Sequence, residues 1–326
     1  MPMNKRLHYT TIAFQLTRKC NATCRMCCES SSPYIDDKVD MDVLLKCIDS
    51  IEDIKSIRLI TITGGEPFLY PDDVLAVAER CKKIGRKFGV ITNAFWCKSY
   101  SHTFDVISKL KENSLIRCFV SVDAFHQEYI PIEHVKTFLR VCKDLTIPIE
   151  IQASLTKSTF ERTDEVISKL GIDKLYTRIL FGSAYPVGAA KEQLDQKEFF
   201  TRKLDSTLCQ YQSILHVTPT GQIRPCCSPC FTGIPFDFGN IYTDSLKDIL
   251  KKVSENELMR MIANEGFSKL IQEATKELGF IELEEYVDDC HLCNHLLADT
   301  DRYIYLQKKV KEWSLENKAI TSTINW

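Results

Sequence analysis

Apolar positions along the first 180 residues follow two alternating rhythms. Short apolar runs with strand character occur at "YTTIAFQLT" (9–17), "SIRLITITGG" (56–65), "FGVITN" (88–93), "IRCFVSVD" (116–123), "PIEIQASL" (148–155) and "KLYTRIL" (174–180). Between them the apolar residues recur at helical spacing, as in "MDVLLKCIDSIED" (41–53) and "PDDVLAVAERCKKIG" (71–85). The second of these opens on Pro71, carries acids in its first turn and closes on Gly85, the punctuation of a helix. Repeated strand–helix units predict an α/β fold with a parallel sheet, open or curled into a partial barrel. Six strands are too few for a complete eight-stranded barrel.

From about Asp195 the rhythm changes. "ILHVTPTGQIRPC" (214–226) reads as a hairpin turning at Thr220-Gly221, and helix-like segments follow from "DSLKDILKKVSENELMRMIANEG" through "FSKLIQEATKELG". A charged helical stretch begins at Asp299. The expected division is therefore 1–195 for the partial barrel, 196–298 for a second, α+β region, and 299–326 for a helical tail. No internal repeat or low-complexity linker is visible.

Composition narrows the picture in one direction. The 326 residues are 44% hydrophobic, enough for a large core, and the net charge of −2 offers no global field for a polyanion. Arg6, His8 and Gln15 interrupt the N-terminal stretch, so it lacks the apolar core of a signal peptide. No apolar run approaches membrane-spanning length. The chain reads as cytoplasmic, where its 15 cysteines point to metal, cluster or catalysis rather than disulfides.

The first cysteines, Cys20, Cys24 and Cys27, have the spacing Cys-x3-Cys-x2-Cys directly after the first strand. Three close thiolates can hold a [4Fe–4S] cluster with one iron left open to chelate a cofactor or substrate. A structural zinc site and chance spacing are the bland alternatives. The spacing, at the carboxyl end of a first β/α strand, resembles the radical S-adenosylmethionine (SAM) enzymes, which implies a partial (β/α)6 barrel, SAM and that cluster. Gly64-Gly65-Glu66-Pro67 ends the second strand, where β/α arrays place their sites. By the same resemblance this backbone and Glu66 bind the methionine end of SAM, and Asn93, Ser121 and Asp123 reach the cofactor's ribose or the substrate. Asn93 and Asp123 serve equally well as helix caps. Arg178 is a candidate partner for the SAM carboxylate, against an ordinary strand ion pair.

The later cysteines are spaced Cys209-x11-Gly221-x4-Cys226, then Cys290-x2-Cys293. This resembles the SPASM/twitch extension of peptide-modifying radical SAM enzymes, in a shortened form. The resemblance implies one auxiliary [4Fe–4S] cluster on Cys209, Cys226, Cys290 and Cys293; a four-cysteine zinc site is the rival reading. In "PCCSPC" two cysteines are adjacent. If residues 222–227 are extended, Cys226 and Cys227 point to opposite faces. With Cys226 on the cluster, Cys227 is left free to face an active-site cavity, and a free thiol there can give a hydrogen atom to a carbon radical.

"CNATCRMCCESSSP", "TGGEPFL", "TNAFW", "VGAAK", "DSTLC", "RPCCSP" and "CHLC" together resemble the radical SAM peptide epimerases of the YydG type. That family likeness implies L-to-D inversion in a ribosomally made precursor peptide (a RiPP), with Cys227 returning hydrogen. It also implies an external electron donor such as flavodoxin or ferredoxin. A peptide cross-linking maturase is the alternative. Where the epimerase carries Tyr-Asp, this chain has Tyr211-Gln212-Ser213, which bears on peptide register. Cys20 comes so early that the peptide is expected to be gripped by the barrel mouth and C-terminal region, or by a separate protein.

The remaining cysteines divide. Cys47, Cys81, Cys118 and Cys142 share apolar stripes and read as small core residues. Cys28, Cys97 and Cys230 have no assigned place, and Cys230 is the alternative hydrogen donor. His126 lies just past a strand end, as a substrate contact or a locally bonded loop residue. "VGAAK" (187–191) reads as the tight turn after the sixth strand, either bringing backbone toward SAM or serving as a packing turn.

Overall fold

The computed structural model describes residues 7–204, 208–209 and 213–324. Its first part is built of β1 (Thr11–Gln15), α1 (Met41–Ser50), β2 (Leu59–Thr63), α2 (Pro71–Lys83), β3 (Lys87–Thr92) and α3 (Tyr100–Glu112). It continues through β4 (Leu115–Ser121), α4 (Ile132–Asp144), β5 (Ile149–Leu155), α5 (Phe160–Ser168), β6 (Thr177–Ser183) and the short α6 (Ala189–Gln193). All six strands pair in parallel in chain order. Parallel strands need helical crossovers, and those crossovers cover the sheet. β1 and β2 are accordingly buried along nearly their whole length rather than on alternate residues.

The boundaries follow local chemistry. Asp40 caps α1 by accepting from the Asp42 and Val43 amides. α2 starts at Pro71 and is followed by Gly85 with φ +65°, so its two predicted ends are both realised.

The second part holds β7 (Ile214–Val217), β8 (Ile223–Arg224), α7 (Leu246–Glu255), α8 (Glu257–Asn264), α9 (Ser268–Leu278), α10 (Asp289–Leu297) and α11 (Thr300–Ile324). β7 and β8 form the expected hairpin, but the hairpin does not stand apart. β7 pairs in parallel with β1, and the sheet runs β6-β5-β4-β3-β2-β1-β7-β8. The barrel is thus an open eight-stranded sheet with two ends, β6 and β8. The long helical stretch of sequence is broken at Asn256, whose side chain accepts from the Met259 amide and so starts α8 afresh.

The main core lies inside and around the barrel and includes Cys47, Cys81, Cys97, Cys118 and Cys142 beside the aliphatic residues. Leu246, Ile249 and Val253 of α7 join it. A second apolar cluster gathers α8, α9 and α10 with Tyr303, Leu306 and Val310 of α11, so the helix after Asp299 packs on the auxiliary region. Among the described residues no helix is long and apolar enough to cross a membrane.

Candidate active site

The loop after β1 carries Cys20, Cys24 and Cys27, and it is fixed from two sides by backbone contacts. The Gly65 amide donates to the Thr17 carbonyl at 2.7 Å, and the Glu66 amide to the Lys19 carbonyl at 2.9 Å. A Cβ on Gly65 would sit 2.2 Å from the Lys19 oxygen, so the glycine pair lets the end of β2 press against the start of the cysteine loop. From the other side the Ala189 amide donates to the Cys27 carbonyl at 2.9 Å. Gly188 has φ +55°, and a Cβ there would lie 2.3 Å from the Cys28 oxygen. "VGAAK" is therefore a packing turn that clamps the cysteine loop.

Cys20, Cys24 and Cys27 face one cavity of about 310 Å³. Gly64, Gly65, Asn93, Ser121 and His126 also line it, and so does Cys227. Asn93 is tied in through four contacts. Its amide donates to Glu66 Oε2 at 2.7 Å, Nδ2 donates to Asn21 Oδ1 at 2.9 Å and reaches Cys20 Sγ at 3.8 Å, and Oδ1 accepts from the Phe95 amide. The Ser31 amide points at Cys27 Sγ from 3.3 Å.

Four of the expected cofactor contacts, Glu66, Pro67, Asp123 and Arg178, do not line this cavity. Glu66 is fully buried, does not line the cavity, and accepts from the Phe68 amide, the Thr92 hydroxyl and the Asn93 amide. Burial raises its pKa to about 7 against those three hydrogen bonds. Its place is to lock the ends of β2 and β3 together. Pro67 begins a single buried turn after it and is likewise off the cavity wall. Arg178 is exposed on β6 and lines a separate groove with Thr177 and Ile179. Asp123 is also enclosed: its oxygens accept from the amides of Phe125, His126 and Ser154 and from the His126 ring at 2.9 Å. Asp123 thus orders the turn that carries His126, and His126 is the member of that pair that reaches the cavity.

A second cavity, of about 220 Å³, is lined by Cys209, Cys226, Cys290 and Cys293, and by Cys230. Asp288 caps α10 through Oδ1, accepting from the Cys290 and His291 amides, and so sets Cys290 and Cys293 in the helix's first turns. Cys230 sits on a single helical turn, 229–231, packed against α10 with its carbonyl taken by Asn294 Nδ2. It is buried among Val187, Cys290 and Cys28. Sequence spacing left this fifth sulfur unassigned because it lies outside the Gly221-x4-Cys226 frame.

The adjacent cysteines part company here. Cys226 lines the second cavity and Cys227 the first. The reason differs from the expected strand pleat: β8 ends at Arg224, and residues 225–226 bend. The bend is held by Tyr9, whose hydroxyl donates to the Pro225 carbonyl at 3.0 Å. Arg224 bonds Glu29 of the cysteine loop at 2.8 Å and stacks 4.0 Å from the Phe231 ring. Glu29 thus ties the first cysteine loop to the hairpin that presents Cys227. Sequence reasoning missed this link, which joins residues 195 positions apart. Tyr211 and Gln212 lie outside the described residues. The Ser213 carbonyl accepts from the Thr10 and Thr11 amides at the start of the β1–β7 pair.

The donor sets suit iron–sulfur groups. As free thiols, Cys20 and Cys226 are each pushed up to about 12 by burial, so only a bound cation makes them charged ligands. Zinc draws its sulfurs in to about 2.3 Å. Cys20, Cys24 and Cys27 line a cavity of about 310 Å³, and Cys209, Cys226, Cys290 and Cys293 one of about 220 Å³. They surround room for a larger group instead.

The family description "Radical SAM superfamily" matches residues 14–180, and "Iron-sulfur cluster-binding domain", SPASM, matches 209–294. The chain belongs to the radical SAM superfamily. This radical SAM enzyme is 25% identical over 320 residues to YydG of Bacillus subtilis (strain 168), which carries the name of a peptide biosynthesis protein. The match covers 95% of this chain and 99% of that one. In structure it resembles Streptococcus suis SuiB bound to its precursor peptide SuiA, with TM-score 0.58 and 15% identity over 79% of this chain and 68% of that one. It also resembles BtrN in complex with AdoMet and 2-DOIA, with TM-score 0.50 and 16% identity over 79% and 88% of the two chains. These likenesses support the open α/β barrel. SAM and a [4Fe–4S] cluster are the cofactors of the radical SAM enzyme's first part, and auxiliary iron–sulfur belongs to its SPASM part.

Proposed function

We propose that this radical SAM enzyme epimerises L-residues to D-residues in a ribosomally made precursor peptide, with Cys227 as the hydrogen donor. The observation that carries the reading is the separation of Cys226 and Cys227 into different cavities. Cys20, Cys24 and Cys27 would hold the SAM cluster. Cys209, Cys226, Cys290 and Cys293 would hold one auxiliary cluster, with Gly64, Gly65, Asn93 and Ser121 on the SAM wall. Bound there, SAM and its cluster supply a 5′-deoxyadenosyl radical that takes the α-hydrogen of a peptide residue.

The chain's own part is to return a hydrogen. The Cys227 S–H bond breaks, its hydrogen atom forms the new Cα–H bond, and one electron and one proton then restore the thiol. Burial raises the Cys227 pKa, in keeping with a sulfur that carries its hydrogen. His126, held by Asp123, and Gln152 and Ser154 on the cavity wall are placed to orient the peptide. The name of YydG and the peptide-bound state of SuiB support a peptide substrate. Cluster-ligand cysteines suit a reducing cytoplasm, with an external flavodoxin- or ferredoxin-like donor.

The test uses a synthetic precursor peptide in heavy water. The wild type is expected to add one solvent deuterium per inverted centre, and Cys227→Ala to keep forming 5′-deoxyadenosine while D-residues disappear. Undiminished inversion by Cys227→Ala overturns the assignment. Loss of two hydrogens from the product, in place of deuterium gain, would make the enzyme a cross-linker.

A further inference from the structure

Gly182 has no structural need to be glycine. It lies inside β6 without a positive φ, and a Cβ built on it meets no heavy atom within 4 Å. Glycine weakens a strand interior and marks places where another backbone passes closely. Gly182 and Leu180 stand in register with Ser154 and Gln152 of β5. All four line one groove of about 210 Å³. Gln152 and Ser154 also line the cysteine cavity, so the groove shares a wall with the candidate site.

β6 is also an end of the sheet. The Ile149 amide bonds the Tyr176 carbonyl, and the Ala184 amide bonds the Leu155 carbonyl, so even-numbered residues of β6 direct their polar groups to β5. Ile179 and Phe181 therefore turn their N–H and C=O groups outward. Leu180 and Phe181 are 44% and 49% exposed. From Ile179 to Ser183 the edge carries no charge, proline or bulge of the kind that blocks strand pairing.

We propose that β6 receives an extended segment of the substrate peptide as an added strand. The peptide main chain pairs with Ile179 and Phe181, and an inward side chain fills the space over Gly182 on its way to the cavity. The occupant is a linear polypeptide, because the edge offers alternating donors and acceptors at strand spacing. This assignment rests on the reading that the enzyme acts on a peptide.

The probe is a set of linear peptides selected from an mRNA-displayed library on the cluster-loaded protein. Gly182→Leu, placed in open space, is expected to keep the thermal midpoint and iron content and to weaken the selected peptides at least about tenfold. N-methylation of alternate peptide amides should weaken binding similarly, and hydrogen exchange at the Ile179 and Phe181 amides of the wild type should slow on binding. Equal affinity for Gly182→Leu with unslowed exchange at those amides overturns the docking strand, as does a library that yields no binder. A peptide that docks this way and is never modified defeats the epimerase reading alone. A peptide that is inverted while β6 exchange stays unchanged defeats only the docking strand.

Discussion

The two cysteine cavities are assembled on different principles. In the first, three ligand candidates lie between residues 20 and 27 on one loop, held by the backbone of segments 64–66 and 188–189. In the second, the sulfurs come from three segments spread from Cys209 to Cys293, brought together by the hairpin and the capped start of α10. A loop of close ligands keeps its spacing wherever the chain folds locally, whereas the second cavity depends on packing between distant elements. Cys227 stands where the two constructions meet, reached from the second but facing the first.

The sharpest break between the cavities should come from Cys24→Ala. Removing one of three loop ligands is expected to abolish the SAM cluster signal in electron paramagnetic resonance. 5′-Deoxyadenosine formation should fall by more than about 1,000-fold, or about 4 kcal/mol in barrier. Auxiliary iron should remain, and loss of both clusters would show that the cavities are not independent.

The adjacent pair gives the next effect. Cys226→Ser should lower total iron by the auxiliary share while the first cluster stays. Cys227→Ser should leave iron unchanged and cut D-residue formation by about 100-fold. Identical iron contents for the two variants would erase the distinction between neighbours.

Glu66 probes the frame of the first cavity alone. Glu66→Ala leaves the Phe68 and Asn93 amides without their buried acceptor, which should cost about 3 kcal/mol in urea unfolding. The folded carboxyl titrates at about 7 against an ordinary 4.5, so the folded state holds a proton that the unfolded chain releases. That contribution is complete below pH 4.5 and is lost as pH rises through 7. Glu66→Gln should flatten this slope, and an unchanged slope would place the raised pKa on another group.

The smallest effect belongs to Cys47→Ala, on the buried face of α1 and on the wall of neither cysteine cavity. It should cost about 1 kcal/mol of stability and no iron at all. Any loss of iron would mean that a core thiol serves a cluster.

Much of the barrel was legible because its signals are local. The strand and helix periods, Pro71 and Gly85 around α2, and the Cys20–Cys27 spacing are all written within a few residues. The hairpin was legible too, but its pairing with β1 was not, since a parallel pair between Thr11 and Ile214 has no local mark. Glu66 shows the limit for side chains. The sequence reads it as a SAM contact, and what the sequence does not show is that the Phe68 and Asn93 amides and the Thr92 hydroxyl enclose its carboxylate. The division of Cys226 from Cys227 was anticipated from a strand pleat and arises from a bend after Arg224.

Reading the chain alone gave the strand and helix types of the barrel, the expectation of a parallel sheet and which cysteines stand close in the chain, because periodicity and spacing are properties of near neighbours. Folding in three dimensions decided that Cys230 joins the second cavity, that Glu29 reaches Arg224, and that Gly182 lines a groove beside the site. Those outcomes depend on where distant segments meet, and no short stretch of sequence encodes such a meeting.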